Sequence, residues 1–285
     1  MSVVANYLSL IKFSHTIFAM PFAIIGFFLA THHFAYGFEV YRLLLVVLCM
    51  VFARSAAMAF NRYADRYIDA QNPRTAIREI PAGIVGERSA LGFVWLNSLL
   101  FIGTTWFINP LCFYLSPVAL AVILGYSYTK RFTAWCHLIL GLGLSLAPVG
   151  AFIAVSQQFR LLPVLYGLVV LCWVSGFDII YALQDAEFDR EKGLHSIPSR
   201  LGKTNALRLS VLLHVLSAAL VIYAGYYAQF GAWYWAGAAV FMGLLGYQHS
   251  LVKPDDLSRV NLAFFTTNGI AGVLFALLVL AELLL

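Results

Sequence analysis

Charge is what this 285-residue sequence has least of. Asp, Glu, Lys and Arg make up 11% of it, while 62% is hydrophobic. A soluble domain of this length carries roughly twice that charged fraction, and no polar stretch is long enough to fold as a soluble unit. Cysteine is scarce as well. Cys49, Cys112, Cys136 and Cys172 lie singly inside apolar runs, which reads as buried small hydrophobes and not as a disulfide framework or a metal set. Polar–apolar alternation is missing too, which argues against a membrane β-barrel. The first apolar run is too long for a signal-peptide core and lacks a small-residue cleavage site, so it counts as a helix.

Apolar stretches are abundant, many of them near the ~20 residues needed to cross a hydrocarbon core. They predict spans near 13–31, 41–65, 88–108, 111–129, 135–156, 162–185, 206–228, 231–250 and 260–284. The expectation is an all-α integral membrane protein of about nine transmembrane helices, with residues 1–285 forming one domain. Its cavity would be central and its helices arranged as a pseudo-repeat of four-helix units. The connections at one face hold Arg74, Arg78, Arg88, Lys130, Arg131, Arg190, Lys192, Arg200, Lys203, Lys253 and Arg259. The other face holds only Arg42 and Arg160. The positive-inside rule then places the N-terminus and the basic loops in the cytoplasm and the C-terminus outside, in the inner membrane of a prokaryote.

Polar residues interrupt this pattern in two places. In NRYADRYIDAQNPRTAIREIP, Arg54 (just upstream), Asn61, Asp65 and Asp69 recur at near-whole helical turns and share one stripe. In SGFDIIYALQDAEFDREKG, Asp178, Tyr181, Asp185 and Asp189 do the same. The second and sixth spans run in the same direction, so both carboxylate pairs emerge at one membrane surface and can face each other. Each pair is followed by basic residues, then an Ile-Pro and a glycine: Ile80-Pro81 before Gly83, and Ile197-Pro198 before Gly202.

Gathered carboxylates at a low-dielectric surface repel, and desolvating them is costly. A divalent cation removes that problem. Oxygens one turn apart suit Mg²⁺, which keeps several waters and shares its shell with phosphate oxygens. The accompanying arginines and lysines suit a polyanion bridged by that cation. The bland alternative is a set of solvated juxtamembrane charges paired among themselves. A transporter is the rival of another class, since intramembrane charges at repeat-related positions also mark ion or substrate paths. His15 and His195 have no partner at metal-ligand spacing and read as structural.

The residues resemble the UbiA superfamily of intramembrane aromatic prenyltransferases. That family carries N-D-x-x-D-x-x-x-D in its second helix and D-x-x-x-D after its sixth; this chain offers Asn61, Asp65 and Asp69, then Asp185 and Asp189. KFSHTIFAMPFA, NPRTAIREIPAG and DIIYALQDAEFDREKGLHSIPSRLG are similar to the bacterial 4-hydroxybenzoate branch and its menaquinone-pathway relatives. One position departs: the family's first aspartate is Arg62 here.

The resemblance implies a Mg²⁺-dependent polyprenyltransferase of quinone biosynthesis, working in the lipid bilayer on a polyprenyl diphosphate and an aromatic acid, with no nucleic acid partner. The acceptor is 4-hydroxybenzoate or, as the Arg62 departure favours, 1,4-dihydroxy-6-naphthoate of the futalosine route. It implies Asn61, Asp65, Asp69, Asp185 and Asp189 around metal. Arg74, Arg78, Tyr126 and Lys130 (in YSYTK) and Lys192 fall to the diphosphate. Arg54, Asn61 and Asp178 fall to the aromatic acid. Asp65, Asp185 and Asp178 would serve the chemistry directly, Asp178 as acceptor of the phenol or ring proton. An unpaired intramembrane arginine is a functional candidate in its own right; the structural alternative for Arg54 is an ion pair with Asp178.

Overall fold

The computed structural model describes residues 3–11 and 18–285; His15 and the KFSHTI part of the first expected span lie outside them. In chain order the helices are α1 (Val3–Leu10), α2 (Met20–Phe28, extended by a π turn Leu29–His33), α3 (Val40–Ala64), α4 (Arg66–Asp69), α5 (Glu87–Trp106) and α6 (Pro110–Thr129). Then follow α7 (Cys136–Ser156), α8 (Leu161–Ala182, continued by a 3₁₀ turn Leu183–Asp185), α9 (Ala186–Glu191), α10 (Ile197–Ala228), α11 (Ala232–Ser250) and α12 (Asn268–Leu284, preceded by a π turn Leu262–Thr267). Among the described residues no strand forms; an isolated bridge joins Lys253 and Asp256.

Among the described residues seven helical stretches are long and apolar enough to cross a membrane, and Met20–His33 is a shorter apolar helix. With α11 they reproduce the expected number of about nine. The chain is an integral membrane protein. Its helix ends follow from local chemistry. Asn109 caps α6 by accepting from the Cys112 amide at 2.8 Å, with Pro110 at the first helical position. The same side chain donates to the Ile153 and Ala154 carbonyls at 3.0 and 3.1 Å, supplying partners to the end of α7 where water is scarce. Gln157 and Gln229, in left-handed conformation, close α7 and α10.

α8 is the central helix, buried along most of its length. It packs between α7 and α10, while α3 lies along α5 and α11 along α12. The main core gathers Trp173, Tyr166 and Phe177 of α8 with Phe22 of α2, Phe241 of α11 and Phe275 of α12. Lipid tails are as apolar as leucine, so packing between membrane helices rests on close backbone approach and on hydrogen bonds. Gly26 of α2 sits so close to α7 that a Cβ there would lie 2.1 Å from the Pro148 carbonyl oxygen.

Two departures from regular helix position the site. α3 ends at Asp65 (φ −93°, ψ 4°) and α4 restarts one residue later. The α8 segment ends at Asp185 (φ −102°, ψ 3°) and α9 restarts likewise. Both breaks share one backbone conformation, and each falls at the first aspartate of a D-x-x-x-D pair. The glycine after each Ile-Pro is also left-handed, with φ 71° at Gly83 and 76° at Gly202, where α10 is interrupted.

Gly26→Ala is expected to destabilise the detergent-solubilised protein by about 1–3 kcal/mol, the usual cost of overpacking. Gly103→Ala, where nothing lies within 4 Å, should be neutral. Melting temperatures of the two variants check this.

Candidate active site

The breaks after α3 and α8 face one another across a polar pocket of about 190 Å³. Asn61, Asp65, Asp69, Arg74, Arg78, Tyr126, Lys130, Arg131, Asp178, Tyr181 and Asp185 all line it. Of the two carboxylate pairs expected to converge from the second and sixth spans, Asp65, Asp69 and Asp185 share this pocket and Asp189 does not. Asp185 accepts from Asn72 Nδ2 and Arg74 Nε, each at 3.0 Å, and pairs through its other oxygen with Arg74 Nη2. Arg74 Nη1 reaches the Tyr181 hydroxyl at 3.0 Å. The Asn72 side-chain oxygen accepts the Arg74 amide at 3.0 Å, fixing the Asn72-Pro73 turn that carries this arginine.

On the opposite wall Arg78 Nη1 donates to both oxygens of Asp69, at 2.7 and 2.8 Å. Asp65 takes Asn61 Nδ2 at 3.2 Å on one oxygen and Arg131 Nη2 at 3.3 Å on the other. Burial and the Asp69 carboxylate outweigh Arg131 and Lys130 and raise the Asp65 pKa above the ordinary value. Burial works against the Arg74 charge, yet Asp185 and Tyr181 raise its pKa above the usual arginine value. Lys130 is raised in the same way, chiefly by Asp189.

The lining sets four carboxylates, Asp65, Asp69, Asp178 and Asp185, beside four bases, Arg74, Arg78, Lys130 and Arg131, of which Lys130 also meets Asp189 behind the pocket. Each of Asp65, Asp69 and Asp185 already holds a basic partner. A diphosphate entering alone would bring several negative charges into this pocket, so it needs compensating cations. The oxygens of Asn61, Asp65, Asp69 and Asp185 are the hard donors that Mg²⁺ takes. Among the described residues no three His, Cys, Asp or Glu side chains converge closely enough to hold a cation alone. The donor set thus fits a cation that completes its shell with water and phosphate oxygens.

Above this pocket lies an apolar cavity of about 310 Å³ between α3, α5, α6 and α7, lined by residues such as Val46, Met50, Phe101, Ile123 and Leu144. Tyr126 and Leu140 line both spaces. Arg54 lines the apolar cavity; its Nε is buried without a hydrogen-bond partner among the described residues. It lies close enough to Tyr126 for their charges to interact.

Several expectations are corrected. Arg54 does not pair with Asp178, whose Oδ2 bonds instead to His137 Nδ1 at 2.7 Å. Asp189, expected at metal, is fully buried behind the pocket, with Lys130 Nζ 2.7 Å from its Oδ1 but poorly aligned for a hydrogen bond. The α9 restart turns it into the protein. Lys192, expected at diphosphate, is exposed outside the lining, its ammonium 6.0 Å over the Phe188 ring. Arg62 is buried and within electrostatic reach of Asp69, Glu79 and Arg78, and it does not line the pocket.

Asn72, Arg131, Tyr181 and His137 were not assigned roles from sequence. Arg131 directly follows Lys130, and Asn72 precedes the basic run. Only spatial contact distinguishes either from ordinary loop residues. His195 is held structurally: its amide donates to the Lys130 carbonyl at 2.7 Å and its ring lies 2.9 Å from Arg200 Nη2.

Membrane helices around a charged pocket under an apolar cavity define an intramembrane transferase fold, and the comparisons give it a family. Residues 19–270 match the UbiA prenyltransferase family. The chain belongs to that family and is a polyprenyltransferase. It is 32% identical to a 4-hydroxybenzoate octaprenyltransferase of Nitrosomonas europaea over 82% of this chain and 80% of that protein. It is 30% identical to one of Aliivibrio fischeri over 82% and 81%. The solved apo structure of a UbiA homologue from Aeropyrum pernix superposes with a TM-score of 0.81 at 31% identity, covering 94% of this chain and 96% of that one. A UbiA homologue from Archaeoglobus fulgidus, solved with DMAPP and Mg²⁺, shares the fold with a TM-score of 0.76 at 19% identity, over 98% and 99%.

Because the carboxylates and bases neutralise one another, Mg²⁺ and pyrophosphate are expected to stabilise the protein cooperatively. The melting-temperature shift with both present should exceed the sum of the shifts with each alone. Additive shifts would contradict the exchange of partners.

Proposed function

We propose that this protein transfers a polyprenyl group from an allylic polyprenyl diphosphate to a ring carbon of 4-hydroxybenzoate or a similar aromatic acid, releasing diphosphate, in quinone biosynthesis. The observation that carries this reading is the junction at Tyr126, where a pocket of paired carboxylates and bases meets an apolar cavity holding an arginine whose Nε has no hydrogen-bond partner among the described residues. The relatives named 4-hydroxybenzoate octaprenyltransferase support it.

Asn61, Asp65, Asp69 and Asp185 would hold Mg²⁺, which supplies charge stabilisation to the departing diphosphate. Arg74, Arg78 and Lys130 leave their carboxylates to hold the phosphate oxygens, and Arg131 leaves Asp65 for the same use. Tyr126, at the neck between the two spaces, stands where the allylic carbon would lie, with its aromatic face available to positive charge. The apolar walls of α3, α5, α6 and α7 keep water from the allylic cation. Arg54 meets the carboxylate of the acceptor, and Asn61 and Asp178 flank its ring. The electron pair of the breaking C–O bond leaves with the diphosphate, the ring supplies the new C–C bond, and the ring proton passes to Asp178. The site would open to the cytoplasmic side of the inner membrane, as the distribution of Lys and Arg favours.

The departure at Arg62 favours a second acceptor, 1,4-dihydroxy-6-naphthoate. Offering the purified protein Mg²⁺, prenyl diphosphates and both acids side by side, with mass-spectrometric detection, decides between them. Prenylated product with neither acid contradicts the aromatic reading, and absence of pyrophosphate release would favour the transporter class.

Asp65→Ala and Asp185→Ala are each expected to lower kcat by at least about a hundredfold. Unchanged kinetics would remove these residues from the metal site. Arg54→Ala should raise KM for the aromatic acid by about 10–100-fold, the worth of a charge-assisted hydrogen bond in a dry site. KM for the prenyl diphosphate should barely move; equal increases for both substrates would refute the pocket role.

A further inference from the structure

His137 is a buried histidine that the proposed chemistry does not use, and its two ring nitrogens have different partners. Nε2 lies 3.3 Å from the backbone nitrogen of Ile197, the first residue of α10. A backbone N–H only donates, so Nε2 must present its lone pair. The single proton of a neutral imidazole is then on Nδ1, 2.7 Å from Asp178 Oδ2, and is donated to that carboxylate. The ring has no room to turn. It is 3% exposed, and the Ser175 hydroxyl donates to the His137 carbonyl at 3.1 Å, tying the start of α7 to α8.

Asp178 is fixed through one oxygen only. Its side chain keeps 23% of its surface exposed and lines the polar pocket. No hydrogen bond to Oδ1 is found among the described residues. Tyr126 at the neck is near enough to feel the Asp178 charge. We infer that His137 is a positioning residue: its Nδ1–H holds Asp178 oriented so that Oδ1 takes the proton from the ring carbon that has just been prenylated.

The balance of the step is simple. After the C–C bond has formed and diphosphate has left with the C–O electron pair, the ring carbon carries one proton too many. That C–H bond breaks, its electrons restore the aromatic ring, and the proton becomes the O–H of Asp178. The Nδ1–H bond offsets part of the cost of keeping a carboxylate ionised at the membrane surface. The Ile197 amide in turn prevents the imidazole from reversing its tautomer. The inference rests on the aromatic prenyl transfer proposed above.

Two substitutions separate positioning from simple packing. His137→Asn places an amide N–H near the position of Nδ1 and so keeps the donor to Asp178, but it loses the contact with Ile197. His137→Gln reaches the Ile197 amide with its carbonyl oxygen and loses the donor to Asp178. Steady-state kinetics should show His137→Asn within about threefold of wild-type kcat, and His137→Gln at least about tenfold lower, within the range that a positioned acid–base group contributes. KM for the prenyl diphosphate should be unchanged in both. With ring-deuterated 4-hydroxybenzoate, or the deuterated naphthoate if that is the acceptor turned over, the Gln variant should show a larger kinetic isotope effect than wild type, because proton removal has become slow.

Melting temperatures accompany the kinetics, and if one variant does not fold, the isotope effect in the other decides. An active Gln variant with an inactive Asn variant overturns the inference, as does a wild-type isotope effect in the Gln variant. A wild-type enzyme that prenylates no aromatic acid overturns the parent reading instead, so the two failures are distinguishable.

Discussion

The constraint on which the site depends is electroneutrality at the edge of a membrane. Asp69 and Asp189 are almost or wholly buried, and a carboxylate there without a counter-charge would cost several kcal/mol. The chain meets this by partnering them: Asp69 with Arg78, Asp185 with Arg74, Asp189 with Lys130, and Asp65 with Arg131. A pocket whose carboxylates are already engaged with bases cannot accept a polyanion by itself, nor a divalent cation by itself, without stranding charge. It can accept both together, each taking over the partners that the other releases. Ionic discrimination thus comes from the balance of side chains already present, and the short helices α4 and α9 hold that balance in register.

The two spaces divide the work by polarity. The lower pocket holds the charged side chains, and the upper cavity is nearly all apolar, with Arg54 as its charged group and Tyr126 at the neck. The Nε of Arg54 is buried there with no hydrogen-bond partner among the described residues, which makes this intramembrane arginine a candidate for ligand contact. Arg54 lies seven residues before Asn61 on α3, about two turns from the polar pocket.

Much of this was legible from spacing. Residues at near-whole turns do share a face up to Asp65 and Asp185, because α3 and the α8 segment are helical to those points. The Ile-Pro repeat marks two corresponding glycines, and both Gly83 and Gly202 do have positive φ, the second within α10. Periodicity failed where the helices stop. Beyond the break at Asp65, Asp69 still lines the pocket, but beyond the break at Asp185 the second aspartate, Asp189, is buried outside the lining and Lys192 is exposed. His137 was invisible for another reason. A lone histidine at the start of an apolar helix carries no spacing signal; its role appears only when the start of α10 arrives beside it, 60 residues later in the chain. Arg62 replaces a family carboxylate in sequence, yet it is buried outside the pocket lining, within electrostatic reach of Asp69 and Glu79, a placement that no linear pattern displays.

The most direct measurement is an experimental structure of the protein with Mg²⁺ and a non-hydrolysable allylic diphosphate analogue. The predicted result is a diphosphate in the polar pocket, with Asp65 and Asp185 turned to the metal, Arg74 and Arg78 moved from their carboxylates to phosphate oxygens, and the prenyl chain passing Tyr126 into the apolar cavity. A bound analogue that leaves the Arg74–Asp185 and Arg78–Asp69 pairs intact, with metal held elsewhere, would contradict it.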